Sequence, residues 1–559
     1  MRNRFQILFI LTFSIILPVL AQVPTALVVE GAALPGAPVG HVVDAINNSG
    51  VNHDRGYAFT VNSIFETVNY GNVWGGREGD IPGPMFTEST YGDFEQTSFE
   101  SFFGISNNGL AAYSPVCIDL ISGMTGLDCV WVDDVPVAVE THALPNDPNY
   151  YYSFNSRPGM LANSEPVWVA GLTNTPEGST QQRAIMRGMD SQIILKGGDM
   201  IPGLPWPIAD TGLDFDFRFS AQGSHYITPV TMNTGSTNDD GYIIVDGSAL
   251  QIAGTYVAEN TPVPVEAGGL PGELWGNFDF VGVTESGRYM ITGDTNAASV
   301  NDEFVLVDGT IVLREGDMIG GLVINGGIQG AYFNDNGDYA VTWDLDDGTG
   351  NTFEVLILNG DVILQVGDEV DFDGDGLPDP GILVTDFTGI SSLTLGDRDE
   401  NSDVQVAFTA DVEVPDFAGS SNESVVADLD KSGLEELPVG ERGVRGEVEC
   451  GFLMHVQVAT AVDDLPINSP HLASNWPNPF NPKTHISFNL PAAGSARLDI
   501  LSVDGRLINT LLSGELAAGE HRVTWSGRDL ADHPVASGIY LYRLSASDWS
   551  ETKTMVLLK

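Results

Sequence analysis

The chain has 559 residues, with 76 acidic and 23 basic side chains and a formal net charge of −53. A field of that sign repels nucleic acid and anionic membranes; its simplest role is solubility, and it also attracts cations or basic partners. Three cysteines exclude a disulfide-built scaffold, and the length exceeds one small domain.

Residues 1–21 carry Arg2 and Arg4, then an apolar run from Phe5 to Leu20, then Ala21. Val19 and Ala21 stand where signal peptidase acts, so the segment reads as a secretory signal peptide with Gln22 as the new N-terminus. The run is shorter than the roughly 20 residues of a spanning helix, and Pro18 interrupts it. No later stretch is long and apolar enough to cross a bilayer as a helix, so the expectation is an exported chain without a transmembrane segment.

Residues 22–464 read as a tandem array. Its clearest unit is Gly330 to Asp368, where apolar runs flank Asn334-Asp335-Asn336-Gly337 and then Asn359-Gly360. Asn and Gly accept the positive φ of tight turns, so the unit predicts four short antiparallel strands. A loose N-x-x-G-x-x-A-F pattern marks seven copies, at Asn52 to Phe59, Ser106 to Tyr113, Asn155 to Ala162, Ser220 to Ile227, Thr284 to Ile291, Asn334 to Val341 and Glu400 to Phe408. The pattern glycines Gly56, Gly109, Gly159, Gly223, Gly287 and Gly337 lie 50 to 64 residues apart, a period of propeller blades. Second hairpins carry Asp133-Asp134, Asp246-Gly247, Asp308-Gly309 or Asn359-Gly360, followed by a strand ending in a G-D step. The array starts and stops in mid-unit. Thr25 to Val29 therefore should complete the last unit by pairing with Phe452 to Val458, as closure of a seven-bladed β-propeller requires. These segments resemble the bacterial tandem-repeat proteins defined by N-x-x-G-x-x-A-F, which implies an exported repeat domain and no established chemistry.

Inside the array, Asp371, Asp373, Asp375 and Asp379 alternate with glycines around Leu377, a spacing that lets a loop present carboxylates and the Leu377 carbonyl to calcium. Ile382 stands where an EF-hand has its bidentate Glu, so the loop is not an EF-hand; it looks more like the calcium loops of thrombospondin-type repeats. The other reading is an acidic surface loop. Cys117 and Cys129, equidistant from Gly123, are expected to face each other across a hairpin and form a disulfide, with Cys450 unpaired. No nucleophile elbow, H-E-x-x-H or Cys/His cluster is present in the sequence. Loops such as Thr173 to Gln182 and Asn233 to Asp240 should share one face.

Residues 465–474 form a polar, Pro-containing linker. The charge changes sharply there: residues 22–465 hold 68 acidic and 13 basic side chains, whereas 466–559 hold eight of each. Residues 475–559 alternate as about seven short strands, the pattern of an Ig-like sandwich. N-W-P-N-P-F-N-P-K-T from Asn475, G-E-H-R-V-T-W from Gly519, S-G-I-Y-L-Y-R-L from Ser537 and K-T-M-V-L-L-K ending at Lys559 resemble the type A C-terminal sorting domain of the type IX secretion system, which overlaps with the Ig-like domain of flagellar hook-capping proteins. The resemblance implies recognition by the type IX machinery, passage across the outer membrane of a Gram-negative-type bacterium, and release or attachment to surface lipopolysaccharide. The whole chain then reads as an all-β, surface-targeted propeller that binds an unidentified surface or extracellular ligand without catalysis. The competing reading is a secreted polysaccharide-directed enzyme with its site on the propeller face.

Overall fold

A computed structural model describes residues 20–557 except 22, 53–55, 66–67, 78–82, 88–89, 92, 108, 134, 237–239, 347–351, 388–392, 400, 415–445, 459–470, 473–482, 491–493, 503–505, 517–518, 531–532 and 547–548. The protein is all-β; the one helical element among the described residues is a 3-10 turn at Val265–Ala267. It divides into two compact units, Met1–Gln457 and Val458–Lys559. Residues 1–19 of the leader lie outside the described residues, and Leu20–Ala21 pair with Gln457 and Val456.

Among the described residues the first unit holds seven antiparallel sheets of four or more strands. The first runs Val42–Val51, Gly56–Phe65, Val68–Arg77, Gly83–Thr87. The same hairpin-by-hairpin order begins again at Phe94–Ile105, Tyr151–Met160, Ile208–Leu213, Trp275–Val283 and Leu322–Phe333. The seventh sheet joins Leu383–Asp386, Asp403–Val414 and Gly446–Gln457 to Thr25–Val29. The pairing expected from the half-units is present: Thr25 opposes Leu453, Ala26 opposes Phe452 and Val29 opposes Cys450. Neighbouring sheets touch in chain order, and Thr394–Leu395 of the seventh touches both Leu322–Phe333 and Val42–Val51. The order therefore closes on itself.

The sheets are held by apolar side chains that lie between them. Trp131 and Tyr113 of the second sheet pack with Ala58 and Val73 of the first. Trp343 and Val341 of the sixth pack with Met290 and Val305 of the fifth. Val28 and Leu453 of the seventh pack with Phe59 and Trp74 of the first. Trp74, Trp131, Trp168 and Trp343 are wholly buried. Each sheet thus depends on its neighbours to remove its apolar face from water.

The repeat motif has a specific structural job at the turn between first and second strands. Its first residue uses a side-chain oxygen to accept an N–H four or five residues on: Asn52 from Gly56 at 2.7 Å, Ser106 from Leu110 at 3.0 Å, Ser220 from His225 at 3.1 Å, Thr284 from Arg288 at 3.1 Å and Asn334 from Asp338 at 2.8 Å. Ser and Thr therefore replace Asn without loss of the turn. The fourth residue takes positive φ at Gly109, Ser164, Gly223, Gly287 and Gly337, and at Ser402 in a turn that begins at Asp399, one residue before the seventh copy read from the sequence. Successive turns are then tied together. Asn52 Nδ2 donates to the Ser106 carbonyl at 2.8 Å, and Ala162 N–H to the Ala221 carbonyl at 2.8 Å. Gln222 N–H donates to Glu285 Oε1 at 2.5 Å, Glu285 N–H to Asp335 Oδ1 at 2.6 Å, and Asp335 N–H to Asp397 Oδ1 at 3.1 Å.

This geometry corrects the third copy. Asn155 to Gly159 lies inside the first strand of its sheet; the turn is Leu161 to Glu165, closed by Leu161 N–H to the Glu165 carbonyl. Asn155 instead accepts the Trp168 indole N–H at 3.1 Å and donates to the Asp128 carbonyl. The second-hairpin turns follow the sequence expectation: Asp246-Gly247, Asp308-Gly309 and Asn359-Gly360 all have positive φ at both residues. The Asp of the G-D step caps the end of the fourth strand, where Asp199, Asp317 and Asp368 accept the N–H of Lys196, Arg314 and Gln365. These repeated acids are spent on backbone.

The second unit has a three-stranded sheet, His471–Leu472, Thr484–Leu490 and Gly519–Trp525, and a four-stranded sheet, Leu507–Leu516, Gly494–Ser502, Gly538–Ala546 and Trp549–Leu557. Ile486, Phe488 and Trp525 of the first pack with Leu498, Ile500, Tyr542, Leu544 and Met555 of the second. His471–Leu472, read from sequence as linker, form the edge strand beside Phe488 and Asn489. The motif from Asn475 to Pro482, Asp504-Gly505 and Lys559 lie outside the described residues.

Candidate functional site

The first strands of the sheets line one cavity of about 660 Å³. That volume falls in the range of small-molecule sites. Its walls take residues from every sheet: Asn48, Phe103, Arg157, Arg218, Asp279, Tyr332 and Thr394 belong to the seven in turn.

These strands are not regular. The pairing of first to second strand slips between Ile46 and Ser49, Phe99 and Phe103, Ser156 and Gly159, Ile208 and Leu213, Phe278 and Val281, and Asn325 and Gly330. A bulge adds residues to one strand and re-aims their side chains. Asn48, Arg157, Asp279, Phe280 and Ile328 are such residues, and all line the cavity. Arg157 also holds a left-handed φ of 54°, unusual for a long side chain.

The charges fall into two groups. In one, Arg157 Nη1 lies 3.5 Å from Asp216 Oδ1, with Arg218 and Asp214 beside them. Burial raises the Asp216 carboxyl above its usual range, against the pull of Arg218 and Arg157. Burial lowers the Arg157 guanidinium, against the pull of Asp216. In the other group, Asp279 and Glu303 line the cavity. Asp279 is pushed up to about 6, by desolvation first and then by Asp294, Asp216 and Asp214. Glu303 is pushed up to about 8, by desolvation and then by Asp279, Asp294, Asp302 and Glu315. Glu303 Oε2 is buried without a hydrogen-bond partner. Two carboxyls in one cavity with separated proton affinities can divide the roles of proton donor and acceptor.

A second, shallower depression of about 900 Å³ is bordered by Asp147, Asn149, Tyr150, Asn174, Gln181, Gln182 and Asp210. It includes part of the Thr173 to Gln182 loop. Its surroundings are polar and open, without the enclosure of the central cavity. The Asn233 to Asp240 loop is described only in part.

The acidic loop brings Asp371, Asp373 and Asp375 together, with one carboxylate oxygen of each within 4.8 Å of the others. Asp371 is buried and the other two are exposed. Three hard oxygens on a glycine-rich loop suit calcium. Asp379 is turned away to the backbone, accepting Phe372 N–H at 2.7 Å and Asp373 N–H at 3.1 Å, and the Leu377 side chain is exposed. Asp371 also accepts the Thr25 hydroxyl at 3.0 Å and Gly376 N–H, so the loop grips the strand that closes the seventh sheet.

Cys117, Cys129 and Cys450 are buried free thiols. The two thiols expected to face each other across the hairpin are offset in the register, Cys117 opposing Leu127 and Cys129 standing two residues beyond it. Burial, then Cys117, pushes the Cys129 thiol well up.

Sequence reasoning missed Arg157, Asp279 and Glu303. A charge in an otherwise apolar first strand, as in Trp275 to Val283, is the signal that marks Asp279. Arg157 was hidden inside the misplaced third repeat.

No curated protein matches the chain. PorZ of Porphyromonas gingivalis, described as an essential bacterial surface component of the type-IX secretion system, is 13% identical, over 96% of this chain and 75% of that one, with a TM-score of 0.19. A subtype N11 neuraminidase-like protein from A/flat-faced bat/Peru/033/2010 (H18N11) is 10% identical, over 78% and 97%, with a TM-score of 0.25. A family 43 arabinoxylan arabinofuranohydrolase from Bacillus subtilis is 9% identical, over 72% and 96%, with a TM-score of 0.20. Overlays this loose carry no argument about this chain. Among the described residues no helix is long and apolar enough to cross a membrane. Residues 478–550 match the FlgD Ig-like domain family.

Proposed function

We propose that the first unit is a seven-bladed β-propeller that binds an extracellular ligand in its central cavity, and that the Ig-like unit sorts it to the cell surface through the type IX machinery. The observation that supports the binding reading is the convergence of bulged first strands on one cavity. Strand bulges cost ladder hydrogen bonds, and a purely structural ring has no need of charged residues on them. The sorting reading rests on the sequence motifs of residues 475–559 and the family match. The binding reading is tested by presenting the protein to arrays of surface and extracellular polysaccharides. Retention that is lost in Arg157→Ala with an unchanged melting temperature supports it. Retention unchanged in that variant places the binding elsewhere.

A second reading, a polysaccharide hydrolase, is favoured by the separated proton affinities of Asp279 and Glu303. Release of reducing ends from a polysaccharide panel, abolished in Glu303→Gln, would replace the first reading with this one.

The Asp371 loop is proposed to hold calcium through Asp371, Asp373 and Asp375, with Leu377 carbonyl and Asp379 as the remaining candidates from the sequence spacing. Calorimetric titration is expected to show one saturable site, weakened on the order of tenfold in Asp373→Ala. A flat titration leaves an acidic loop.

A further inference from the structure

The positive and negative groups of the cavity are not balanced in space. Arg157 is matched by Asp216, with Arg218 close by. On the adjacent fifth sheet Asp279 and Glu303 form no ion pair among the described residues; the charged groups acting most on them are acids, Asp294, Asp302, Glu315, Asp214 and Asp216. Behind Glu303 lies Glu315, only 3% exposed. Its Oε1 accepts Gly326 N–H at 2.8 Å, while its Oε2 is buried without a hydrogen-bond partner. Glu303 Oε1 reaches the same bulge, 3.5 Å from where a Cβ on Gly327 would sit. Two carboxyls therefore converge on one glycine pair, each with an oxygen lacking a partner. A carboxylate shut away from water and from any cation is costly.

From this arrangement, and resting on the central cavity as the ligand site, we infer that the cavity takes a ligand bearing an organic ammonium group, seated against Asp279 and Glu303. An organic cation fits better than a metal ion, because among the described residues no three carboxylates of this wall bring their oxygens within 4.8 Å as those of the Asp371 loop do. Phe278 and Phe280, on either side of Asp279, line the same space and supply aromatic rings, the side chains that attract an ammonium. The cation would displace the proton held by Glu303, so binding releases a proton to solvent.

Calorimetry of the full chain at about pH 6, where the probe amines are already ammonium and Glu303 still holds its proton, in two buffers of different ionisation enthalpy, tests this. The probes are a glucosamine trimer and its N-acetylated counterpart, which is neutral and of similar size. The expected result is saturable binding of the amine form with proton release, weaker by on the order of tenfold or more in Asp279→Asn and in Glu303→Gln. Tighter binding of the acetylated form, abolished by Arg157→Ala, would overturn the ammonium inference and keep the cavity as the site. Binding of the amine form that persists unchanged in both carboxyl variants, or no binding of either probe up to about 10 mM, would overturn it as well.

Discussion

At the scale of single residues, the repeated Asn is a structural clamp. Asn334 accepts Asp338 N–H, donates to Asp338 Oδ2 at 3.1 Å and donates to the Gly396 carbonyl of the next sheet at 2.9 Å. It is almost wholly buried. Asn334→Ala is expected to lower stability by about 1–3 kcal/mol, because it leaves buried backbone groups without partners. Equilibrium unfolding in urea reads this directly, and an unchanged midpoint would remove the clamp role. The same residue type misled at Asn155, where Asn155 to Gly159 fits the motif and yet lies in a strand. A side-chain amide can cap a turn or tie two strands, and spacing alone does not separate the two uses. The cavity carboxyls were hidden for a related reason. In a chain with 76 acids, Asp279 and Glu303 differ from the rest only by what surrounds them.

At the scale of elements, the hairpins were legible because their turns have a chemical signature. Asp-Gly and Asn-Gly name the second turn of three sheets, and the φ values bear this out. The closing strand was legible by subtraction, since half a unit stands at each end of the array. The bulges were not. A bulge depends on how two distant strands register, which residue type does not announce. Closure makes a prediction of its own. Removing residues 23–29 uncovers the edge of Gly446–Gln457, a twelve-residue strand paired over its length on the other side. An edge of that length invites pairing with a second chain. The truncated protein is expected to elute as dimers or larger species in size-exclusion chromatography. A monomer with an unchanged melting temperature would mean that Thr25–Val29 adds nothing to the seventh sheet.

At the scale of the whole molecule, raised carboxyls set the pH dependence. Asp279 and Asp411 are pushed up to about 6, Glu354 to about 7 and Glu303 to about 8, each mainly by desolvation. Neighbouring acids add to this, Asp386 above all for Glu354 and Asp411. A raised carboxyl holds a proton in the folded state that the unfolded chain gives up. Its contribution is in full present below about pH 4 and is lost as pH rises through 6 to 8. Glu273 and Glu285 act oppositely: burial works against them, but Arg314 and Ser220 respectively, with nearby N–H groups, hold them below the usual range. Their contribution is lost as pH falls below about 4. The melting temperature is therefore expected to peak near about pH 5 and to fall steadily toward about pH 9. A scan that is flat or rising over that interval would show that these carboxyls are solvated in solution.

The ring of seven sheets is expected to fold on its own, with the Ig-like unit proposed to supply only its destination. Each unit has its own apolar core, and the charge break between them leaves an acidic body and a neutral one. The most direct measurement is fractionation of cells that express the chain without residues 476–559, with circular dichroism of the recovered protein. The expected result is a folded all-β protein retained in the periplasm. Truncated protein displayed on the cell surface, or recovered only as aggregate, would contradict it.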